Sequence, residues 1–256
     1  VGSAGRGGGA GARRRALLLA PLLAAAVLAT ASPAGAAQSG PWVTYPATSA
    51  QAEGEDTHVL VVGDSLLVGD LYSVTGLADY VTSETRRSTY VTATPGGQWV
   101  TYGYPGQQNG AGLLWDYASF LEPRLTVVAL GTNDARIMTA VPDLYGPAEH
   151  LELMRTSVAR TLEHTRCVLL VKVREREVTG PFGMGLADAA AVNANIDVLA
   201  SSDEQHRTFV ADWNTHAALR DDWFRPNDVH LTWAGQLGYA SFIADQAEIM
   251  IRRRDC

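Results

Sequence analysis

Five short apolar runs, separated by stretches of helical periodicity, constrain this chain more than any other feature. They are His58–Val62, Tyr90–Ala93, Leu125–Leu130, Val168–Val173 and Thr208–Ala211. They are rich in Val and Leu, and three are almost unbroken in apolar residues, which suits strands of a parallel sheet buried on both faces. Leu151, Met154, Val158 and Leu162 recur at helical spacing, and Tyr239, Phe242, Ile243, Ile249 and Met250 mark one face of a last helix. A third helix is expected from about Leu186 to Leu199, and Pro147 stands where a first-turn proline belongs. The alternation predicts a single three-layer α/β/α sandwich around a five-stranded parallel sheet. No internal repeat and no second domain is apparent.

Composition narrows the class. Hydrophobic residues make up 46% and charged residues 18% of the 256-residue chain, which excludes wholesale disorder. The start of the chain is unlike the rest. Arg13–Arg15 form a basic cluster, Ala16 to about Ala31 is apolar, and Ala34-Gly35-Ala36 fits a small-residue cleavage site. This is the three-part pattern of a secretory signal peptide, so residues 1–36 are expected to be an export signal and the mature protein secreted or associated with the cell envelope. The apolar run is shorter than the ~20 residues that span a bilayer. Residues 37–56, small and polar without period, read as a linker, and 57–256 as the functional domain.

Residues 1–36 hold four arginines and no acid, so the formal charge of −7 becomes −11 over the remaining 220 residues. An acidic body argues against a nucleic-acid partner, which needs a basic stripe. No paired-cysteine or His-Glu-x-x-His spacing supports a metal site, and Lys172, the single lysine, sits inside a predicted strand rather than in a phosphate-binding loop. No cofactor, no metal and no membrane span in the mature chain are therefore expected, and the protein is read as a monomer. Cys167 opens an apolar run and reads as a buried core thiol; pairing with the terminal Cys256 in an oxidising compartment is the alternative.

In parallel sheets, ligands bind beyond the carboxyl ends of the strands. Gly63-Asp64-Ser65 follows the first run, Pro95-Gly96-Gly97 the second and Gly131-Thr132-Asn133-Asp134 the third, while Asn227-Asp228-Val229-His230-Leu231-Thr232 precedes the last helix. Each is a plausible turn by itself. Together they supply a hydroxyl nucleophile, an imidazole base and donors for an oxyanion, the parts of serine acyl transfer.

In this order and placement the segments resemble the SGNH (GDSL-type) hydrolases over about Thr57–Ile251. The resemblance implies the flavodoxin-like SGNH fold, Ser65 as nucleophile, His230 as base, and an oxyanion hole of the Ser65 and Gly97 N–H groups and the Asn133 amide, with Gly96 as the alternative to Gly97. Asp64 is expected to be structural. Where the family places an aspartate three residues before the histidine, this chain has Asn227. Asp228 is taken as the acid; Asn227 orienting the ring, Asp221 or Asp222 reaching in, or a main-chain carbonyl remain alternatives.

Two loops are candidates for substrate contact. Trp99, Tyr102 and Tyr104 could stack on sugar rings, while Trp115 and Tyr117 read better as packing on a helix face. Phe182 and Met184 could line an acyl pocket. The implied activity is hydrolysis of short-chain or acetyl esters of a carbohydrate or lipid, small or polymer-linked. The same residues would serve an O-acyltransferase, and a non-catalytic polysaccharide- or lipid-binding module is the rival from another class.

Overall fold

The five apolar runs become five parallel strands because their side chains alternate between two buried faces. The structure is a computed structural model and describes residues 43–46, 58–68, 74–99, 110–180, 183–254 and 256, all within one compact unit, Pro41–Cys256. The expected export signal lies outside these residues, as does most of the expected linker. In chain order the strands are β1 (Val43–Pro46), β2 (Val59–Gly63), β3 (Thr89–Ala93), β4 (Leu125–Ala129), β5 (Cys167–Val171) and β6 (Thr208–Ala211). The helices are α1 (Ser65–Val68), α2 (Val74–Thr85), α3 (Gly110–Leu121), α4 (Thr132–Ala140), α5 (Pro147–Thr161), α6 (Leu186–Ser202), α7 (Trp213–His216) and α8 (Trp233–Arg254), with a 3₁₀ turn at Asp221–Trp223.

The sheet order is β1-β3-β2-β4-β5-β6. β2 to β6 are parallel, and β1 runs antiparallel to β3, with Val43 opposite Ala93 and Pro46 opposite Tyr90. Residues 43–46 were expected to be linker and are instead an edge strand. An edge strand needs one partner only, and a proline is tolerated there, so neither a long apolar run nor alternation announces it.

Alternate strand residues build two cores. Val59, Val61, Val91, Leu125, Val127 and Leu169 pack with Leu77, Ala78 and Val81 of α2 and Tyr239, Phe242 and Ile243 of α8. Leu60, Val62, Val128, Val168 and Leu170 pack with Leu113 and Leu114 of α3, Met154 and Val158 of α5, and Val192 and Ile196 of α6. Pro147 opens α5, and Glu149 accepts a hydrogen bond from the Gly146 N–H at 3.2 Å. Among the described residues no helix is long and apolar enough to cross a membrane.

The reading of Cys167 as a free thiol is corrected: it forms a disulfide with Cys256. Cys167 is the first residue of β5, and α8 ends beside it, so a bond across 89 residues of sequence needs no reach in space.

Candidate active site

The crossovers on either side of β2 place β3 and β4 as its neighbours, which makes the carboxyl ends of β2 and β4 the switch point where a crevice opens. Gly63-Asp64-Ser65 leaves β2 there and Gly131-Thr132-Asn133-Asp134 leaves β4.

Asp64 fixes the turn that presents Ser65. Its Oδ1 accepts from the Leu66 N–H at 2.9 Å, its carbonyl from the Leu67 N–H at 3.1 Å, and its Oδ2 from Asn133 Nδ2 at 3.3 Å. Burial is the largest influence on its carboxyl, and with the neighbouring Asp134 it outweighs these hydrogen bonds and pushes the pKa up to about 7. Asp134, one residue beyond Asn133, is equally buried and also raised to about 7 by burial. It accepts from the Trp99 N–H through both oxygens, at 3.1 and 3.2 Å, and from the Tyr145 hydroxyl at 2.8 Å. The two aspartates thus brace the strand ends.

His230 arrives on a strap that doubles back on itself. Phe224 bridges Leu231, the Arg225 N–H donates to the His230 carbonyl at 2.9 Å, and the Thr232 N–H donates to the Trp223 carbonyl at 2.8 Å. Gly235 lets α8 start under this strap, since a Cβ there would collide with the Trp223 carbonyl. The tip of the strap is a turn closed by the Asp228 N–H on the Arg225 carbonyl at 3.2 Å, with Asn227 at φ +50°. Asparagine tolerates that left-handed conformation better than most residues.

The turn brings Asp228, and not Asn227, to the ring. His230 Nδ1 lies 2.7 Å from Asp228 Oδ1, and the His230 N–H donates to the same oxygen at 3.2 Å. His230 Nε2 lies 3.1 Å from Ser65 Oγ. Partial burial works against ionisation of Asp228, yet the hydrogen bonds and charge of His230 hold its carboxyl below the usual range. A carboxylate on Nδ1 favours the tautomer with the proton there, which leaves the Nε2 lone pair facing the serine hydroxyl. Asn227 is exposed at the turn. Asp221 and Asp222 are exposed as well, 4.0 Å from Arg174 and 3.2 Å from Arg220 respectively, and do not reach His230.

The expected oxyanion donors are arranged differently from the sequence reading. The Gly97 N–H is bonded to the Thr94 carbonyl at 2.9 Å. It closes a turn with Pro95 second and Gly96, at φ +76°, third, the arrangement of a type II turn. Gly96 is exposed and Gly97 buried. Asn133 Nδ2 contacts the Gly97 carbonyl at 3.1 Å as well as Asp64, and Asn133 Oδ1 accepts from Arg136 Nη1 at 3.1 Å. Ser65 is the first residue of α1, a position whose N–H has no place in a helix's own ladder.

The expected substrate residues also move. Trp99 is only 1% exposed and belongs to the core, so it is not a platform for a sugar. Met184 is 2% exposed and bridges Val178, so it is core rather than pocket wall. Tyr102, Tyr104 and Phe182 lie outside the described residues. Trp115 lies under Arg160 with 4.4 Å to its ring centroid, and Tyr117 stacks on Tyr90 at 5.2 Å, both on α3. Among the described residues, the cleft over Ser65 and His230, of about 200 Å³, is instead walled by Leu66, Val68, Pro95 and Leu231, with Arg225 and Gln236 as further polar groups. Proximity in sequence to the two motif residues was the available signal for five of these six; Pro95 belongs to the second motif itself.

No family model matches the chain, and no curated protein matches it. Solved structures do. A lipase/acylhydrolase from Enterococcus faecalis matches with a TM-score of 0.59 at 16% identity, over 75% of this chain and 95% of that one. The catalytic domain of a Streptococcus pneumoniae peptidoglycan O-acetyltransferase, which carries a methylsulfonyl adduct, matches at 0.51 and 18%, over 76% and 96%. A Geobacillus acetyl-xylooligosaccharide esterase matches at 0.53 and 15%, over 77% and 96%. A putative SGNH hydrolase from Slackia heliotrinireducens matches at 0.51 and 16%, over 75% and 100%, so the fold is the α/β/α sandwich found in SGNH hydrolases, as the sequence resemblance implied.

Proposed function

We propose that this chain is an exported serine esterase of the SGNH type, acting on short-chain or acetyl esters of a carbohydrate or lipid. One observation carries the reading: Ser65 Oγ, both ring nitrogens of His230 and Asp228 Oδ1 form a continuous line of contacts of 3.1 and 2.7 Å at the switch point of the sheet. Nucleophile, base and orienting carboxylate stand in the order that acyl transfer requires.

His230 Nε2 takes the Ser65 proton as Oγ attacks the ester carbonyl. The imidazolium that forms is stabilised by the Asp228 carboxylate. The negative oxygen is received by the Ser65 N–H and by the Asn133 amide, which exchanges its neutral acceptor, the Gly97 carbonyl, for a charged one; charge-assisted bonds are roughly twice as strong as neutral ones. Such a donor contributes on the order of 3 kcal/mol to the transition state. The protonated His230 then gives its proton to the leaving alcohol. Water, deprotonated by the same nitrogen, attacks the acyl-serine and releases the acid. If a sugar hydroxyl takes the place of that water, the acyl group is transferred, and the O-acetyltransferase domain among the similar structures keeps that reading open.

The apolar walls and small volume of the cleft favour a short acyl group. The acidic body favours neutral esters, because a polyanionic polymer is repelled at long range. Export is supported by the signal-like pattern of residues 13–36 and by a disulfide, a bond that persists in oxidising compartments. The test is hydrolysis of p-nitrophenyl acetate and octanoate by the mature protein and its Ser65→Ala variant. Faster release from acetate, lost in the variant, supports the reading. No release from either ester contradicts it.

A further inference from the structure

Arg136 is not among the groups that acyl transfer itself requires, yet it stands at the centre of those that are. It lies on α4, one turn beyond Asn133, where an i,i+3 side chain meets its neighbour. Its Nη1 donates to Asn133 Oδ1 at 3.1 Å. It is half-buried, a costly place for a cation, and the loss of solvent is opposed by the charges of Asp228 first and Asp64 second. One guanidinium therefore touches the proposed oxyanion donor and sits in the field of both the carboxylate that holds His230 and the carboxylate that holds the Ser65 turn.

The consequence lies in the orientation of the Asn133 amide. Its nitrogen faces two acceptors, Asp64 Oδ2 at 3.3 Å and the Gly97 carbonyl at 3.1 Å. The opposite orientation would set the amide oxygen against both of those acceptors and the amide nitrogen against a guanidinium. Donor would meet donor at one end and acceptor would meet acceptor at the other. Arg136 thus closes the arrangement in which every contact is satisfied, the one that points the amide nitrogen at Gly97 and at Asp64, the residue before Ser65.

We infer that Arg136 is a positioning residue that locks the Asn133 amide with its nitrogen toward Asp64 and Gly97, the orientation in which it can donate to an oxyanion at Ser65. The inference rests on the esterase reading for its effect on rate, but the amide orientation is measurable without any activity. The experiment follows the Asn133 side-chain NH₂ signals by NMR, assigned through their loss in Asn133→Asp, in wild type, Arg136→Met and Arg136→Lys. Alongside, kcat and KM are measured for p-nitrophenyl acetate.

Wild type gives one sharp NH₂ pair. Arg136→Met broadens or doubles it and lowers kcat about 30-fold, less than the 10²–10³ expected for removing an oxyanion donor outright, with KM unchanged within about twofold. Arg136→Lys, which keeps a donor, recovers most of both. Should Arg136→Met not fold, Arg136→Gln, which keeps a polar group at this half-buried position, takes its place in the comparison. An unchanged Asn133 signal, or an unchanged kcat in an active protein, overturns the inference. A wild type inactive on every ester sinks the hydrolase reading instead, and the NMR arm alone then decides the role of Arg136.

Discussion

Asp228 Oδ1 holds His230 twice, through the ring nitrogen Nδ1 at 2.7 Å and through the backbone N–H at 3.2 Å. The first contact selects the tautomer, and the second fixes the carboxylate relative to the chain that carries the ring. Asp228→Asn keeps the shape and removes the charge, and an amide nitrogen can face Nδ1 only with the wrong tautomer. We expect kcat to fall about 10⁴-fold, the loss known for such a change in a serine triad, with KM little altered. A loss under tenfold in steady-state ester hydrolysis would show that His230 does not depend on this carboxylate.

Asn227 supplies conformation and not chemistry. At φ +50° and exposed, it is replaceable by glycine with no loss, whereas Asn227→Val costs about 1–2 kcal/mol, because a β-branched residue resists the left-handed region. Chemical denaturation checks the cost. Activity per folded molecule is expected to stay within a few-fold in both variants.

His150 subtracts from stability on the acid side. Its buried ring has a pKa lowered by desolvation to about 4, against 6.5 in the unfolded chain, and its Nδ1 contacts Asn195 Nδ2 at 2.9 Å. Above pH 6.5 the ring is neutral in both states and the contribution is complete. As pH falls from 6.5 towards 4 the unfolded state alone takes up the proton, so stability is lost, by on the order of 3 kcal/mol at the bottom of the window. Asp64 and Asp134 act with the opposite sign. Raised to about 7 from 3.8, they bind protons in the folded state first, so their contribution grows as pH falls from 7 towards 4. The two effects separate in the difference between wild type and His150→Gln. Melting curves between pH 7 and 4.5 are expected to show the variant gaining on wild type as pH falls, and a constant difference would refute the assignment.

The Cys167–Cys256 bond closes a loop of 89 residues, worth about 4.6 kcal/mol if it acts chiefly on the unfolded chain. For a domain of this size that corresponds to about 9–18 °C in Tm. Cys256→Ser and reduced wild type are expected to melt together, below the oxidised protein, with esterase activity at 25 °C retained, because Cys256 lies in the core cluster on the α8 side rather than among the residues lining the cleft.

The parallel strands were legible because both of their faces are buried, which writes a nearly continuous apolar run. β1 was not, since four residues ending in Pro46 at a sheet edge carry no such pattern. The contacts join Ser65, His230 and Asp228, which the sequence singled out by residue type and order, Ser65 after a strand and the other two in the segment before the last helix. Trp99 and Met184 were misread, because a large apolar side chain in a Gly-rich loop looks the same in sequence whether it lines a cleft or, as here, fills the core. The disulfide depended on where α8 ends, which no local pattern encodes. Arg136 was overlooked because its partner is the amide of Asn133, and an arginine one turn beyond a motif asparagine is ordinary until the contact is seen.

The central claim is that Ser65 is a nucleophile activated by His230. Its most direct test is mass spectrometry of the purified protein after treatment with a fluorophosphonate. The account predicts a single adduct on the Ser65 peptide, absent in Ser65→Ala and formed at least a hundredfold more slowly in His230→Ala. No adduct on Ser65, or one formed at the same rate without His230, would contradict it.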